Sequence, residues 1–497
     1  MRKVLNLMNS KKNKVLRFQI GVNGRAPYLE DTSGEILSSF NAAVLGQLLT
    51  TDEDFNLQPG LLEKFDYEQS TNSFVLRLKS NLKFHNGRSV NSKDLEFSLL
   101  RGFFSSNSSF YSVYLKNIEG IDQIDPTRSL FKSGAVSGVK IVDDLTLKVR
   151  LAFPNPSFLH SLTNPFFSLV PKEEMSPNFL SWRSIPIGAG PYKVVGEGLK
   201  KGLVELELVD RTLSHAAEKV EIYTSERKGR LCDVVLSASE NQDLDGLEIK
   251  FTKKPISVRS LFFNTQNPLS RNQEFRQAIQ RVIDRKRIDG LLESLSASTE
   301  LLPQHFWGRS GNEIVPDLSL AKKLVSQIPE DLRTKSWEAA IFAGENLSHD
   351  QRILIDALED QFSSVGLKIK IVPNSEKFLS QESARRFVFR MEGRVTDYVD
   401  PLIMFASLRE GSAYKYDHPI GERKEKFENL FRSAQAEIDF DRRIESVRRL
   451  SKYVQEEAIA VAIGETRMGF YINPKTVKSL GYQPQPLTLF IQNIELK

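Results

Sequence analysis

Cysteine is nearly absent from this chain of 497 residues, in which Cys232 is the single thiol. One thiol excludes an internal disulfide and any zinc site built on cysteine pairs. Long apolar runs are absent as well, because no stretch of about 18 or more apolar residues occurs. We therefore expect no membrane-spanning helix, and the composition leaves the redox compartment open.

Histidine is scarce and scattered, and no two histidines form a helical pair with a third ligand nearby. A metal or heme site built on histidine therefore has no support in the sequence, and we expect no cofactor and no metal. The six histidines are His85, His160, His215, His305, His349 and His418.

Charge of one sign is not in large excess. The chain has 68 Lys and Arg against 63 Asp and Glu, a net charge of +5. A nucleic-acid surface needs clustered positive charge, so we expect no nucleic-acid partner. The sequence also has no G-x-S-x-G elbow and no paired-carboxylate motif, so a hydrolase would lack a nucleophile. These absences favour a protein that is not an enzyme, with a peptidase as the alternative.

The first residues are basic but have no apolar core. Between Met1 and Phe18, short apolar pairs are interrupted by Asn6 and Asn9, and the basic run Lys11–Lys14 follows. This pattern differs from the apolar region of a signal peptide. We expect either a mature or truncated exported form, or a protein that stays in the cytoplasm.

The apolar pattern predicts an α/β chain. Its composition, 40% hydrophobic and 26% charged, is that of a globular protein, and its length predicts about three domains. The apolar run Phe387–Met391 predicts a strand, and Leu402–Ala406 predicts the first turns of a helix. The intervening Gly393–Pro401 is therefore predicted to be a loop at the C-terminal end of a strand, where ligands bind in open α/β sheets.

Asp397 is the carboxylate of this loop that nothing nearby in the sequence neutralises well. It could hold a ligand ammonium through a charge-assisted hydrogen bond. The alternative is a turn residue that caps the following helix. The spacing alone leaves both interpretations open.

A series of motifs occurs in the order typical of one known family. They are Ser73–Arg77, Lys83–Gly87, Lys93–Arg101, the hairpin Val139–Leu147 with its turn at Asp143 and Asp144, Ser184–Tyr192 with the sequence Gly-Ala-Gly-Pro-Tyr, Leu261–Thr265, Phe275–Ile279 and Ile283–Arg285. In the last two motifs we expect Arg276 and Asp284 to be structural ion-pair partners. The chain resembles the extracellular solute-binding proteins of family 5, the receptor subunits of peptide and nickel ABC importers, and is most similar to their oligopeptide- and dipeptide-binding branch.

The resemblance implies an α/β, two-lobed fold like that of the periplasmic binding proteins (type II, cluster C). Mixed sheets flanked by helices would form two lobes with a ligand cleft between them, closing by hinge motion. The implied domains are a first lobe of residues 1–45, 174–265 and 466–497, a small extra domain of residues 46–173, and a second lobe of residues 266–465.

The resemblance also implies site residues. In the peptide-binding branch, a Gly-Trp-x-x-Asp-Tyr loop supplies the aspartate that binds the peptide ammonium, and this chain matches it at Gly393, Asp397 and Tyr398. The intervening loop backbone, including Val395 and Thr396, would pair with the peptide main chain. Arg394 replaces the tryptophan. It would either meet a ligand carboxylate or be a solvated residue at the rim, and both interpretations stay open.

Three further residues are implied to contact ligand from the first half of the chain. They are Tyr111, for which a core tyrosine is the alternative, and Gly34 with Glu35, for which a surface loop is the alternative. The implied function is peptide binding for an ABC permease, by a monomer at the periplasm or cell surface. The alternatives are a cytoplasmic solute-sensing regulatory domain, or a non-peptide solute such as a nickel chelate, sugar or heme.

Overall fold

A computed structural model describes residues 14–20, 25–28, 34–105, 114–126, 130–225, 232–236, 244–252, 254–255, 257–292, 294–396, 398–485 and 488–497. The chain divides into two compact units, Met1–Phe251 with Gly469–Lys497, and Thr252–Met468. The second unit begins earlier than the predicted residue 266, because the strand Ser257–Phe263 lies inside its sheet. The separate small domain of residues 46–173 stays a prediction.

The first unit contains, in its described part, a seven-stranded sheet and a four-stranded sheet. Their orders are β12-β19-β11-β1-β10-β9-β8 and β4-β5-β7-β6, and a two-stranded ribbon pairs β2 with β3 and another pairs β20 with β21. The strands are β1 (Val15–Gln19), β2 (Leu49–Thr51), β3 (Leu57–Pro59), β4 (Leu62–Glu68), β5 (Ser73–Leu78), β6 (Val139–Asp143), β7 (Thr146–Arg150), β8 (Tyr192–Val194), β9 (Leu203–Leu208), β10 (Lys219–Tyr223), β11 (Val234–Val235), β12 (Glu248–Phe251), β19 (Gly469–Ile472), β20 (Val477–Ser479) and β21 (Glu495–Leu496). The helices are α1 (Gly34–Val44), α2 (Ser92–Leu100) and α3 (Ser157–Ser161).

Helix α2 contains most of the motif Lys93–Arg101 and begins directly after Asn91. The Asn91 side chain accepts a hydrogen bond from the backbone N–H of Lys93 (3.0 Å), and the Asp94 carboxylate accepts one from the N–H of Asn91 (2.9 Å). Arg88 also donates to Asp94, with 2.7 Å between Nη2 and Oδ1. These contacts satisfy the free N–H groups at the start of the helix, which is why the sequence specifies its first residue.

The Gly-Ala-Gly-Pro-Tyr motif permits the close backbone approach that its glycines predict. A Cβ atom at Gly190 would lie 2.7 Å from the carbonyl oxygen of Ala43, and one at Gly188 would collide with the Val44 carbonyl. His85 contacts the same turn on both sides of its ring. Its Nδ1 accepts a hydrogen bond from the N–H of Gly188 (3.4 Å), and its Nε2 lies 3.0 Å from the Gly190 carbonyl oxygen.

The second unit contains, as far as it is described, one six-stranded mixed sheet with the order β14-β18-β13-β17-β15-β16. Strand β15 runs parallel to both β16 and β17, whereas β13 is antiparallel to β17 and β18. The strands are β13 (Ser257–Phe263), β14 (Leu295–Ala297), β15 (Ser336–Phe342), β16 (Lys368–Asn374), β17 (Phe387–Val395) and β18 (Ala460–Thr466). The helices are α4 (Pro268–Arg271), α5 (Gln273–Val282), α6 (Arg285–Asp289), α7 (Leu318–Gln327), α8 (Glu330–Arg333), α9 (His349–Ser364), α10 (Gln381–Arg386), α11 (Leu402–Ala406), α12 (Glu422–Ala436) and α13 (Phe440–Glu456). The α/β class with mixed sheets is confirmed.

Helix α5 packs its apolar stripe on this sheet. The rings of Phe275 and Phe263 lie 5.8 Å apart in an edge-to-face arrangement, and Phe263 meets Phe389 of β17 at 6.1 Å. Phe275, Ala278, Ile279 and Val282 are all buried, as their helical spacing predicts.

Arg276 and Asp284 are structural, but the expectation that they form ion pairs was wrong. The buried Arg276 guanidinium donates to the carbonyls of Ser270 (3.0 Å) and Ala458 (3.1 Å), which lie near the C-terminal ends of α4 and α13. Burial lowers the pKa of Arg276 to about 10. Asp284 caps α6 by accepting from the N–H of Arg287 (3.0 Å). Helix-end carbonyls, which carry partial negative charge, thus take the place of a carboxylate partner.

Candidate functional site

The predicted strand before the candidate loop is confirmed, but it is longer than expected. Strand β17 extends to Val395, because β13 pairs with it from Phe263↔Phe389 to Ser257↔Val395. Gly393, Arg394 and Val395 are therefore strand residues rather than loop residues, which corrects the predicted loop boundary. Helix α11 follows as predicted, so the connecting segment comprises residues 396–401.

This segment leaves the sheet at the C-terminal edge of its parallel strands. Strands β15, β16 and β17 end there at Phe342, Asn374 and Val395. Ligands of α/β proteins bind outside the carboxyl ends of parallel strands. The connection from β17 to α11 therefore begins at the edge where a ligand would be expected.

Arg394 is buried beneath this edge, with 5% of its surface exposed, so its interpretation as a solvated rim residue was wrong. Its Nε donates to Glu392 Oε1 (2.7 Å), its Nη1 to Ser407 Oγ (2.8 Å), and its Nη2 to the Asp417 carboxylate. Burial lowers the pKa of Arg394, but the carboxylates of Asp417 and Glu392 outweigh it, and the net shift is upward. The guanidinium is thus held charged by groups of the protein.

Two aromatic rings enclose the same guanidinium. Its Cζ lies 3.3 Å from the ring centroid of Phe262 on β13 and 3.7 Å from that of Tyr414. Tyr414 and Asp417 belong to the stretch that follows α11, so the contacts of Arg394 hold this stretch against the sheet. Cation–π contact with two rings adds to the ion pairs because the site is desolvated.

Strand β17 carries a row of alternating charges on this face. Glu392 accepts from Arg394 on one side and lies 3.0 Å from Arg390 Nε on the other. Arg390 also donates to the carbonyls of Glu376 (2.7 Å) and Lys377 (2.8 Å), in the connection after β16. With Asp417, the row contains two positive and two negative charges. Because the charges balance, the row needs no outside ion. Its contacts also hold the connection after β16 and the stretch after α11 against β17.

Asp400 anchors the far end of the segment. Its Oδ2 lies 2.7 Å from Arg443 Nη2 of α13, its Oδ1 accepts from the N–H of Leu402 (2.9 Å), and both ion-pair partners are buried. The Arg443 guanidinium also lies 4.9 Å from the ring centroid of Trp307. Buried ion pairs therefore hold Arg394, at the strand end before this segment, and Asp400, near its end.

The structure describes only some of the remaining predicted site residues. Asp397 and Tyr111 lie outside the described residues. Gly34 and Glu35 begin helix α1, which corrects the expectation of a loop there. Gly393 is exposed, and Val395 and Tyr398 are partly buried.

Thr396 is fully buried, and its Oγ1 has no hydrogen-bond partner among the described residues. The residues predicted for the site do not include Glu392, Asp400, Asp417 or Arg443. For Glu392 a signal was available: the sequence Arg-x-Glu-x-Arg lies in a predicted strand, where alternate residues share a face.

No helix in the described ranges is long and apolar enough to cross a membrane. Likewise, no group of three or more His, Cys, Asp or Glu side chains among the described residues is arranged to hold a metal ion.

Comparison with known proteins identifies the family. Residues 56–207 and 227–416 match the model for bacterial extracellular solute-binding proteins, family 5 Middle. The chain is 24% identical over 454 residues to the probable ABC transporter periplasmic-binding protein SapA of Escherichia coli (strain K12), covering 84% of this chain and 80% of SapA. It is 21% identical over 466 residues to the dipeptide-binding protein DppE of Bacillus subtilis (strain 168), covering 84% and 81%.

A solved structure gives the same result for the fold. The ABC transporter substrate-binding protein CtaP of Listeria monocytogenes superimposes with a TM-score of 0.78 at 18% identity, over 98% of this chain and all of CtaP. The periplasmic-binding-protein fold expected from the motifs is confirmed. The chain belongs to the bacterial extracellular solute-binding proteins of family 5 and is a non-enzymatic solute-binding protein of an ABC import system.

Proposed function

We propose that the solute is a peptide, bound through its α-ammonium at Asp397 and passed to an ABC permease from the periplasm or cell surface. The observation that carries the proposal is the pair of buried anchors, Arg394 and Asp400, on either side of Asp397 in the sequence, at the C-terminal edge of the second unit's sheet. The dipeptide-binding relative and the match at Gly393, Asp397 and Tyr398 support the same solute class.

The charges at the two ends of the segment support Asp397 as the recognition residue. Asp400 is engaged by Arg443, and Arg394 is engaged by Glu392 and Asp417. Asp397 is the other carboxylate of the segment, and we propose that it binds the ligand ammonium. A fixed carboxylate pairs strongly with an ammonium once water is excluded, because charge-assisted hydrogen bonds are the strong ones.

Gly393, Val395 and Tyr398 would complete the site by contacting the peptide beside Asp397, whereas the fully buried Thr396, also predicted as a contact, presents no surface to it. Gly393 is exposed at the strand end, so the backbone there is accessible to an extended peptide. Strand-like pairing uses backbone groups and therefore tolerates many side chains. We propose the same accessory role for Tyr111, Gly34 and Glu35 in the first unit.

The experiment is native mass spectrometry of the purified full-length protein mixed with a random library of dipeptides to pentapeptides. The proposal expects retained masses that match library peptides, and bound peptides that are released intact. Retention of a metal chelate or heme from the expression host, with no peptide retained from a saturating library, would contradict it. The same spectra report whether the protein is a monomer, as we propose.

A further inference from the structure

Arg259 lacks the protein partners that engage the neighbouring arginines of the second unit's sheet. Arg390 and Arg394 on β17 contact carboxylates and carbonyls, as described above. Within the described chain, the half-buried side chain of Arg259 on β13 makes no hydrogen bond, no ion pair and no ring contact. A guanidinium carries five N–H donors, so the position presents an unused set of donors.

The register of the sheet places Arg259 between two glycines. It pairs with Gly393 on β17 and with Gly464 on β18. Paired residues of antiparallel strands share a face, so neither neighbour places a side chain beside the arginine. The position is two residues from Ser257, which lies at the sheet edge beside Val395.

The two glycines differ in what covers them. A Cβ atom at Gly464 would collide with the Leu295 side chain, so that flank of Arg259 is filled. Gly393 is exposed, and a Cβ atom there would meet Ser257 Oγ at 2.8 Å and no other described atom within 4 Å. The surface beside Arg259 is therefore open over Gly393, next to the segment that contains Asp397.

The electrostatic surroundings of Arg259 favour an incoming anion. Burial lowers its pKa, and the Asp350 carboxylate at the start of α9 opposes this shift. Asp350 accepts a hydrogen bond from Ser294 Oγ (2.9 Å) and forms no ion pair with Arg259 in the described structure. Arginine stays protonated at neutral pH even in such a site. A partly desolvated cation without a contact partner is costly, and a bound anion would offset that cost.

We propose that Arg259 recognises a carboxylate of the bound solute, which reaches the guanidinium over Gly393. The proposal rests on the proposed function, since it adds the opposite pole of a peptide to the ammonium site at Asp397. It also reassigns the anion-recognition role: Arg394, the arginine that the sequence suggested, is engaged by the protein, and Arg259 is the arginine with free donors. A planar carboxylate suits the bidentate geometry of a guanidinium.

The test measures binding of matched peptides by calorimetry. The wild type and Arg259→Gln are titrated with a peptide from the library, its C-terminal amide, and the same amide carrying an internal glutamate. The wild type is expected to prefer the free acid over the plain amide by about 10- to 100-fold, since hydrogen bonds to charged groups contribute this much. Arg259→Gln should abolish the preference, and Arg259→Lys should retain part of it. Arg287→Gln, an exposed arginine of the same unit, is the matched control and should leave the preference unchanged.

Each outcome decides the proposal. A preference for acid over amide that persists in Arg259→Gln overturns it, as does a wild type that binds acid and both amides equally. Recovery of affinity by the glutamate-containing amide assigns the site to side-chain carboxylates, and no recovery assigns it to the C-terminus.

A second measurement separates this proposal from the proposed function. If no peptide binds the wild type, the peptide assignment fails, and Arg259 is tested by thermal unfolding in sodium acetate against sodium chloride at equal ionic strength. A higher unfolding temperature in acetate that is lost in Arg259→Gln supports the carboxylate site. An equal response of the two proteins contradicts it.

Discussion

Asp400 and Arg443, 43 residues apart in the chain, form a buried ion pair with 2.7 Å between Oδ2 and Nη2. The pair joins the candidate ligand-binding segment to helix α13. Since Asp400 also accepts the N–H of Leu402, one carboxylate fixes both the end of the segment and the start of α11. Residues fixed in this way lose little conformational freedom when a ligand binds nearby.

Replacing Arg443 with Met is expected to destabilise the protein by about 3–5 kcal/mol, because it leaves the Asp400 carboxylate buried without its cation. Urea denaturation followed by tryptophan fluorescence measures the change. Arg442→Gln is the control, since the neighbouring Arg442 forms ion pairs on the exposed surface and should cost about 1 kcal/mol or less. Equal effects of the two variants would contradict a special role for the buried pair.

Arg394 and Asp417 are expected to be energetically coupled, because removing Arg394 leaves the Asp417 carboxylate buried without its cation, and removing Asp417 leaves Arg394 with Glu392 as its remaining carboxylate. A double-mutant cycle with Arg394→Gln and Asp417→Asn should give a coupling energy of about 1–3 kcal/mol. Chemical denaturation of the four proteins supplies the values. Additive effects would mean that the sheet and the stretch after α11 are joined by other contacts.

Thr396→Val is expected to stabilise the protein by about 1 kcal/mol, because it removes a buried hydroxyl that has no partner in the described structure. The matched control is Thr265→Val. The Thr265 hydroxyl donates to the Tyr416 carbonyl at 2.9 Å, so its loss should destabilise the protein. Differential scanning calorimetry distinguishes the two directions, and destabilisation by Thr396→Val would show that its hydroxyl is satisfied in solution.

Stability is expected to fall as the solution is acidified below neutral pH, in part through His85. Burial lowers the pKa of His85, although the Gly190 carbonyl opposes this shift. The unfolded chain therefore takes up the proton first, at a pKa of about 6.5. The contribution of the neutral His85 is complete above that pH and is lost as the pH falls through the lower pKa of the folded state.

The variant His85→Gln isolates this effect. Its unfolding free energy should depend less steeply on pH than that of the wild type between about pH 5 and pH 7. The comparison at pH 8, where His85 is neutral in both states, measures the effect of the substitution apart from titration. Parallel pH profiles for the two proteins would contradict the assignment.

Local features of the fold could be predicted from the sequence because their causes are local. Asn91 and Asp94 cap a helix that begins beside them, and the apolar stripe of α5 follows the helical period. The end of β17 could not be predicted, because it depends on pairing with β13, more than a hundred residues earlier in the chain.

The partner of Arg394 was hidden for the same reason. Asp417 lies 23 residues away, and no spacing rule connects the two. The lack of contacts to the Arg259 side chain in the described structure depends on the sheet register, which places Gly393 and Gly464 beside it. The strand and helix that flank the candidate segment could therefore be predicted from the sequence, whereas the buried environment of Arg394 could not.

The most direct test of the account is the affinity of wild type and Asp397→Asn for one library peptide and for its N-acetylated form, measured by calorimetry. The wild type is expected to bind the free amine at least about 10-fold more tightly than the acetylated peptide, and Asp397→Asn is expected to remove this preference. Equal affinity of both proteins for both peptides would contradict recognition of an ammonium by Asp397.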